Sequence, residues 1–230
     1  MARHIGIVGC SAEGAALCFR AICQEGSRLL GRHDHPEISL HIHPLKAYMP
    51  DIDSGNWAGV ADRMLSSAEK LAASGADFLI CPDNTIHEAF GQVREKSPLP
   101  WLHIAEVVAA AARLENRRCL GILGTRYLME GPVYRETLAP LGIEARIPPA
   151  ETREKINDII FDELVHAQFT GQSLELFQKA IEGLEKSGCD AVVLGCTEIP
   201  LLVTPGTSPL PALDSTRLLA RAALRKAIAR

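Results

Sequence analysis

Short apolar runs alternate along the chain with longer segments in which apolar residues recur every three or four positions. The longer segments, clearest at residues 57–72 and 174–184, have the spacing of amphipathic helices. The short runs are apolar almost throughout, which is typical of strands buried on both faces of a parallel sheet. They predict strands at residues 5–9, 38–43, 78–81, 101–104, 119–124, 143–147 and 191–195. The alternation predicts an α/β fold with doubly wound parallel sheets.

Three blocks of sequence recur in the same order at nearly the same offset. Residues 75–80 resemble 188–193, residues 5–9 resemble 120–124, and residues 99–102 resemble 210–213, at offsets of 113, 115 and 111 residues. A shared offset indicates two related halves. We therefore predict two pseudo-symmetric lobes, made of residues 1–98 with 210–230 and of residues 99–209. Because ligands of open α/β sheets bind at the carboxyl ends of the strands, we expect the active site in the cleft between the lobes.

Composition narrows the class of protein and its partners. The chain has 230 residues, of which 47% are hydrophobic, and a net charge of −4, so a nucleic-acid partner is not expected. No apolar run reaches the roughly 18–20 residues of a membrane span, and the N-terminal run, interrupted by Gly6 and Gly9, is unlike a signal peptide. The seven cysteines include no C-x-x-C pair and are odd in number. Reduced thiols and a cytoplasmic location are therefore expected.

Four histidines lie close together in the first half of the chain, at His33, His35, His41 and His43. His41 and His43 would share one face of a strand, since alternate residues point the same way. No acidic or cysteine partner accompanies them at ligand spacing. The sequence therefore predicts no metal site.

A polar segment follows each of two matched strands. Asp83, Asn84 and Thr85 come after the strand at 78–81, and the offset of 113 residues places Asp83 on Cys196 and Asn84 on Thr197. If the halves are related by a pseudo-twofold axis, a carboxyl and a thiol flank one substrate carbon. Racemisation by two bases needs this arrangement, because one group removes a proton and the other delivers one to the opposite face. The short polar side chains are suited to binding a substrate carboxylate and the enediolate formed from it.

Four segments carry a resemblance that covers nearly the whole chain: residues 83–87, 124–130, 155–161 and 195–202. In these the sequence resembles the aspartate/glutamate racemases of the cofactor-independent Asp/Glu/hydantoin racemase superfamily. The resemblance implies two α/β lobes, usually in a homodimer, and catalysis without pyridoxal phosphate, metal or another cofactor. It also implies two catalytic cysteines. Cys196 fits the second position, but the first is occupied by Asp83, and strand alternation would turn the nearby Cys81 away.

The resemblance assigns the remaining candidate residues. Asp83 and Cys196 are the predicted catalytic pair. Lys155 resembles a family lysine that meets the distal carboxylate of the substrate, and Glu198 follows in the Cys-Thr-Glu segment, where it could also be a first-turn partner of a helix dipole. The predicted substrate-binding set is completed by Ser11, in the turn after the first strand, and by Asn84, Thr85, Thr125 and Thr197.

The carboxyl in the first position leaves three hypotheses open. A carboxylic acid has a reference pKa of about 3.9 and a thiol of about 8.5, so a carboxyl group here is ionised at neutral pH unless burial prevents it. Two like charges at about 4 Å cost roughly 4 kcal/mol at an effective dielectric constant of 20, which opposes a dicarboxylate. The first hypothesis is a racemase or epimerase of an aspartate- or glutamate-like amino acid. The alternatives are a one-cysteine decarboxylase or cis–trans isomerase of a small dicarboxylate, similar to arylmalonate decarboxylase or maleate isomerase, and a non-catalytic carboxylate-binding relative.

Overall fold

The chain forms two compact units, each built around its own parallel sheet. The computed structural model describes residues 2–229. One unit contains the chain up to Val107 together with the part from Thr216 onward, and the other contains Val108–Ser215. Each sheet has four strands, every neighbouring pair of which is parallel. The predicted α/β class with parallel sheets is therefore confirmed.

The sheet of the first unit has the strand order β2-β1-β3-β4. Its elements along the chain are β1 (Ile5–Gly9), α1 (Ala12–Leu30), β2 (Ile38–Ile42), α2 (Leu45–Ser54), α3 (Trp57–Ala73), β3 (Phe78–Ile80), a 3₁₀ turn (Thr85–Ala89), α4 (Phe90–Lys96), β4 (Trp101–Leu102) and α5 (Ile104–Leu114). The last helix of the chain, α11 (Ser215–Ile228), adds Leu219, Ala220 and Ala223 to the core formed by β1, β3 and α1. The C-terminal helix therefore completes the N-terminal unit.

The sheet of the second unit has the strand order β6-β5-β7-β8. Its elements are β5 (Cys119–Leu123), α6 (Arg126–Glu130), α7 (Val133–Leu138), a 3₁₀ turn (Ala139–Leu141), β6 (Glu144–Arg146), α8 (Ala150–Asp162), a 3₁₀ turn (Leu164–His166), α9 (Gly171–Lys186), β7 (Ala191–Leu194), α10 (Ile199–Leu202) and β8 (Ala212–Asp214). Phe177, Ile181 and Leu184 of α9 pack on Val192 and Leu194 of β7. The predicted amphipathic pattern at 174–184 is thus the buried face of a helix.

The two sheets share their strand register as well as their order. Ile5 lies opposite Phe78 in the first sheet, and Leu120 lies opposite Ala191 in the second. These pairs are related by the offsets of 115 and 113 residues found in the sequence. The third block behaves in the same way, because β3 pairs with β4 as β7 pairs with β8. The sequence repeat is therefore a repeat of tertiary structure.

The same turn leads into the third strand of both units. Gly75 and Gly188 follow α3 and α9 with φ angles of +91° and +102°, in the left-handed region that favours glycine. Two residues later, Asp77 and Asp190 each accept a hydrogen bond of 2.7 Å from a backbone N–H just before β1 or β5. The backbone N–H of each aspartate in turn donates a hydrogen bond of 2.9 Å to a carbonyl of the same neighbouring segment. This exchange sets the register of the central strand pair in each sheet.

The boundaries of the units follow the two edge strands rather than the sequence division. Because β4 pairs with β3, residues 99–107 lie in the first unit, whereas the division at 98/99 assigns them to the second lobe. Because β8 pairs with β7, residues 210–215 lie in the second unit, whereas the division at 209/210 assigns them to the first. The strand β8 is also absent from the predicted strands. Pro211 interrupts the apolar residues directly before it, so pairing with β7 defines this strand.

The helices are amphipathic rather than apolar throughout. The longest of the helices in residues 2–229, α1, buries Leu17, Cys18 and Ile22 and exposes Glu13 and Arg20. In the described part of the chain, no helix combines the length and the apolar character needed to cross a membrane.

We expect alanine at Gly121 to destabilise the protein by about 1–3 kcal/mol, because a Cβ there would lie 2.6 Å from Leu184 Cδ1 and 3.3 Å from Leu184 Cβ. The equivalent Gly6→Ala should behave alike, since its Cβ would lie 2.5 Å from Leu79 Cδ2. Gly183→Ala is the matched control, because its Cβ would enter open space within α9 and should stabilise by up to about 1 kcal/mol. Urea unfolding followed by circular dichroism measures all three. A Gly121→Ala protein as stable as the wild type would contradict the close approach.

Candidate active site

Asp83 is held by the turn between β1 and α1. It follows β3, and because β1 and β3 are parallel neighbours, their carboxyl ends meet at the same edge of the sheet. Asp83 Oδ2 accepts hydrogen bonds from the backbone N–H groups of Cys10, at 3.2 Å, and Ser11, at 2.9 Å. Backbone donors at the start of a helix stabilise a negative charge. The oxygen that they hold is therefore the poorer place for a proton when the carboxyl is neutral.

Ser11 has two structural roles in this turn. Its backbone N–H binds Asp83, and its Oγ accepts a hydrogen bond of 3.2 Å from the N–H of Gly14. The side chain is therefore the N-cap of α1, which satisfies a donor that the helix leaves unpaired. Its predicted contact with substrate stays a prediction.

Two thiols lie near Asp83, and both are buried. Cys81 is fully buried, with Sγ 3.8 Å from the main-chain oxygen of Asp83, and Cys10 is 2% exposed. Burial raises the pKa of each thiol well above its ordinary value, and the charge of Asp83 raises both further. Both sulfurs are therefore protonated at neutral pH. In the first unit Asp83, rather than either thiol, is the group suited to accept a proton.

Asn84 and Thr85 continue from Asp83 into the 3₁₀ turn at Thr85–Ala89. Asn84 is 3% exposed and Thr85 is half-buried. Both side chains lie within a loop that follows a central strand, as the sequence predicts. This position is the one at which open α/β sheets bind ligands.

Cys196, Thr197 and Glu198 form a hydrogen-bonded group after β7. The Cys196 thiol donates to Glu198 Oε2, with 2.9 Å between sulfur and oxygen, and Thr197 Oγ1 donates to the same oxygen at 2.7 Å. Glu198 and Thr197 are buried, and Cys196 is half-buried. Both hydrogen bonds end on one carboxyl oxygen, which accepts while the thiol and the hydroxyl donate. As the donor in this contact, Cys196 is present as the thiol.

Thr125 follows β5, the neighbour of β7 in the second sheet. Its Oγ1 accepts a hydrogen bond of 3.3 Å from the N–H of Leu128 and caps α6. The ladder between the two strands continues beyond their ends, because Gly195 N–H donates to Leu123 O at 2.7 Å. Thr125 and Cys196 are therefore delivered by adjacent strand ends.

The structure places Lys155 in a groove between α8 and α9. Its Nζ lies 2.7 Å from Glu151 Oε1, one turn earlier on α8. The groove has a volume of about 490 Å³ and is lined by Pro149, Thr152, Lys155, Gln172, Glu175, Leu176, Lys179, Ala180 and Gly183. Neither Thr125 nor any residue of the Cys196 loop lines it. The predicted contact of Lys155 with a substrate carboxylate therefore stays a prediction.

Arg126 is a basic residue that the sequence analysis does not single out. It is the first residue of α6, directly after Thr125, and its N–H donates to Asn157 Oδ1 at 3.0 Å. Its guanidinium lies 3.6 Å from Glu154 on α8, and the side chain is partly exposed. The only sequence signal is its place in the segment 124–130, because an arginine at a helix start carries no motif of its own.

The histidine pair at His41 and His43 is held by serines. The ring centroids are 4.8 Å apart, His41 Nδ1 lies 2.9 Å from Ser67 Oγ, and His43 Nε2 lies 3.3 Å from Ser66 Oγ. Burial and the nearby Lys70 lower the pKa of both rings. Across residues 2–229, no group of three or more His, Cys, Asp and Glu side chains is arranged to bind a metal ion.

The fold and its two loops define a two-unit α/β protein in which equivalent strands deliver a carboxyl and a thiol. Residues 6–223 match the family described as Asp/Glu/hydantoin racemase, and the chain belongs to this family. It is 24% identical over 191 residues to the broad specificity amino-acid racemase RacX of Bacillus subtilis (strain 168), covering 82% of this chain and 80% of that protein. The family supports an amino-acid racemase activity.

Two solved structures share the whole architecture. A proposed Asp/Glu racemase from Yersinia pestis has a TM-score of 0.91 and 30% identity, with 99% of this chain and 100% of that chain covered. An aspartate racemase homologue from Pyrococcus horikoshii OT3 has a TM-score of 0.85 and 26% identity, with 98% and 99% covered. These likenesses confirm the resemblance found in the sequence. The role of Asp83 in the first catalytic position stays a prediction.

We expect Glu198→Gln to make Cys196 react severalfold faster with iodoacetamide at neutral pH, because the amide removes the negative charge beside the sulfur. Mass spectrometry of the peptide that contains Cys196 measures the rate. Glu163→Gln is the matched control, since that carboxylate binds Ser173 and Thr170 instead. A slower reaction in Glu198→Gln would show that Glu198 activates the thiol as a base, contrary to this account.

Proposed function

We propose that the protein is a cofactor-independent racemase or epimerase of an aspartate- or glutamate-like amino acid, with Asp83 and Cys196 exchanging the α-proton. One observation supports this most directly: equivalent strands of the two units end in a carboxylate stabilised by N–H donors and in a protonated thiol. A base and an acid are thus available in the resting protein. Two-base racemisation requires one of each.

In the proposed reaction, the Asp83 carboxylate takes the proton from the α-carbon. The electron pair of the broken C–H bond moves into the substrate carboxylate and forms an enediolate. The Cys196 thiol then gives its proton to the opposite face of the carbon, and its bonding electrons remain on sulfur. Glu198 has lost its thiol donor at that point, and Thr197 still donates to it. In the reverse direction the thiolate abstracts the proton and neutral Asp83 returns one.

An ionised Asp83 repels a substrate carboxylate that binds nearby. Neutral hydrogen-bond donors are therefore needed to hold that carboxylate in place. In this proposal Asn84, Thr85, Thr125 and Thr197 bind the α-carboxylate, as donors that follow the central strands of each unit. A distal acidic group requires a cation. Two residues are candidates for this cation. Lys155 is the candidate that the family resemblance assigns, and Arg126 is a second one because it directly follows Thr125.

A one-sided reaction is the second candidate, and the anchoring of Asp83 favours it. Two backbone donors stabilise the carboxylate form, so little of Asp83 carries a proton that it could return. Cys196 would then be the sole proton donor to an enediolate. Such a site would decarboxylate or isomerise a small dicarboxylate. A carboxylate-binding protein without turnover is the third candidate.

Incubation in D₂O with a panel of L- and D-amino acids, maleate and an arylmalonate separates the three candidates. We expect deuterium at the α-carbon and formation of the opposite enantiomer, measured by proton NMR and chiral chromatography with no added cofactor. Cys196→Ala and Asp83→Asn should each lower the rate by about 10²-fold or more, because each removes a proton-transfer group. Cys23→Ala on α1 is the control and should leave the rate unchanged.

Release of carbon dioxide or formation of fumarate, without exchange at any amino acid, would replace the racemase by the one-sided enzyme. Saturable binding of a carboxylate without exchange or turnover would identify a binding protein. Asp83→Cys then tests the carboxyl directly. A gain of racemisation in this variant would show that the carboxyl suppresses the two-base reaction.

We also propose a cytoplasmic homodimer that pairs through the outer face of α1 and β2. Phe19 and Leu30 on α1, and Leu40 and Ile42 on β2, are 37–42% exposed. Leu40 and Ile42 point to the same face of β2, which is the edge strand of its sheet. An apolar face on an edge strand is typical of a surface that pairs with another chain.

A lysine at both Leu40 and Ile42 should convert the dimer to a monomer, because burying two charges opposes association. Sedimentation velocity measures the mass. Leu114→Lys, at a residue that is 85% exposed on α5, is the control and should remain dimeric. A dimer that survives both lysines would place the interface elsewhere.

A further inference from the structure

His87 lies fully inside the first unit, four residues after Asp83, and both of its ring nitrogens have backbone partners. Nδ1 lies 2.8 Å from the main-chain oxygen of Asp83. Nε2 lies 3.4 Å from the backbone nitrogen of Ile104, the first residue of α5. A carbonyl can only accept and an N–H can only donate. The ring is therefore the neutral tautomer with its proton on Nδ1.

The surroundings of the ring favour this neutral form. The imidazole stacks on Phe90 at 5.5 Å between centroids and meets His103 edge-on at 4.5 Å. Burial first, and then His103, lower the pKa of His87 well below its ordinary value, while the Asp83 carbonyl and Glu106 raise it by less. Burial, and then Arg94, lower the pKa of His103 to about 4. Neither ring carries a charge at neutral pH.

We propose that His87 is a positioning residue for Asp83, and this inference rests on the catalytic role proposed for that carboxyl. The hydrogen bond from Nδ1 fixes the main chain at Asp83. The fixed main chain in turn determines where the carboxylate meets the N–H groups of Cys10 and Ser11. The Cys81 thiol, 3.8 Å from the same carbonyl, is a weak donor that does not replace the imidazole.

The ring nitrogens have separate roles, so substitutions can separate positioning from stability. Nε2 accepts from the start of α5, which stabilises that helix, and Nδ1 holds Asp83. Asparagine places an amide N–H near the position of Nδ1, whereas glutamine places an amide oxygen near the position of Nε2. His87→Asn therefore keeps the bond to Asp83 and loses the one to α5. His87→Gln does the reverse.

The first readout does not depend on activity. The backbone amide protons of Cys10 and Ser11 report the carboxylate of Asp83 directly, because hydrogen bonds to a carboxylate shift them downfield. We expect these two signals in ¹⁵N–¹H spectra to move upfield in His87→Gln and to remain near their wild-type positions in His87→Asn. His103→Asn is the matched control, since this buried ring accepts from Glu106 N–H and does not contact Asp83. Its Cys10 and Ser11 signals should remain in place.

The second readout is turnover of whichever substrate the D₂O panel identifies. His87→Gln should lower kcat by about tenfold or more with little change in KM, because a misplaced base slows proton transfer rather than binding. His87→Asn should recover most of that loss in kcat although its melting temperature falls. A merely structural role predicts the opposite order, with kcat following the melting temperature.

The wild-type protein alone also tests the assignment, in case a variant does not fold. Long-range ¹⁵N–¹H correlations of the His87 ring should show a proton on Nδ1. A proton on Nε2 instead, or unmoved Cys10 and Ser11 amides in His87→Gln, would overturn the positioning role. Absence of turnover with every substrate would refute the proposed function, whereas the amide shifts would still decide whether His87 places Asp83.

Discussion

The pair of hydrogen bonds from the β1–α1 turn to Asp83 is the constraint on which the first half of the site depends. The donors are main-chain N–H groups, so the arrangement comes from the path of the backbone rather than from particular side chains. It requires β1 and β3 to be parallel neighbours, with the turn after one facing the loop after the other. The buried imidazole of His87 is hydrogen-bonded to the main chain of that loop. The same two hydrogen bonds stabilise negative charge on the carboxyl. They therefore set both the position of Asp83 and its ionisation.

The two units place opposite electrostatic surroundings at equivalent strand ends. In the first unit, two backbone N–H groups donate to one oxygen of the Asp83 carboxyl and favour its charged form. In the second, the Glu198 carboxylate lies beside a sulfur and favours its neutral form. In the proposed reaction these different surroundings would supply a base and an acid, as paired groups in unlike environments divide the roles of acid–base catalysis. The family resemblance implies a cysteine at both catalytic positions, whereas this chain has an aspartate at one and a cysteine at the other.

The two halves of the repeat are alike in the elements that determine the sheet geometry and differ in the loops that carry the candidate site residues. Strand order, register, the left-handed glycines and the aspartates that join neighbouring strands recur in both units. The residues after the third strands differ, with Asp83 and Asn84 in one unit and Cys196 and Thr197 in the other. Loops tolerate such change because they contribute little to the core, whereas the turn that sets register affects every pair in the sheet.

The sequence by itself determined the α/β class, the described strands other than β8, and the equivalent positions of Asp83 and Cys196 in the repeat. These properties are local or periodic: a strand buried on both faces is apolar throughout, and a duplicated unit keeps its spacing. Only the tertiary structure decided the edge strand β8, the boundaries of the units, the carboxylate of Glu198 at the thiol and the groove position of Lys155. The donors to Asp83 lie 72 and 73 residues away in the chain. Contacts of that separation leave no periodic trace in a single sequence, because the folded backbone alone brings their partners together.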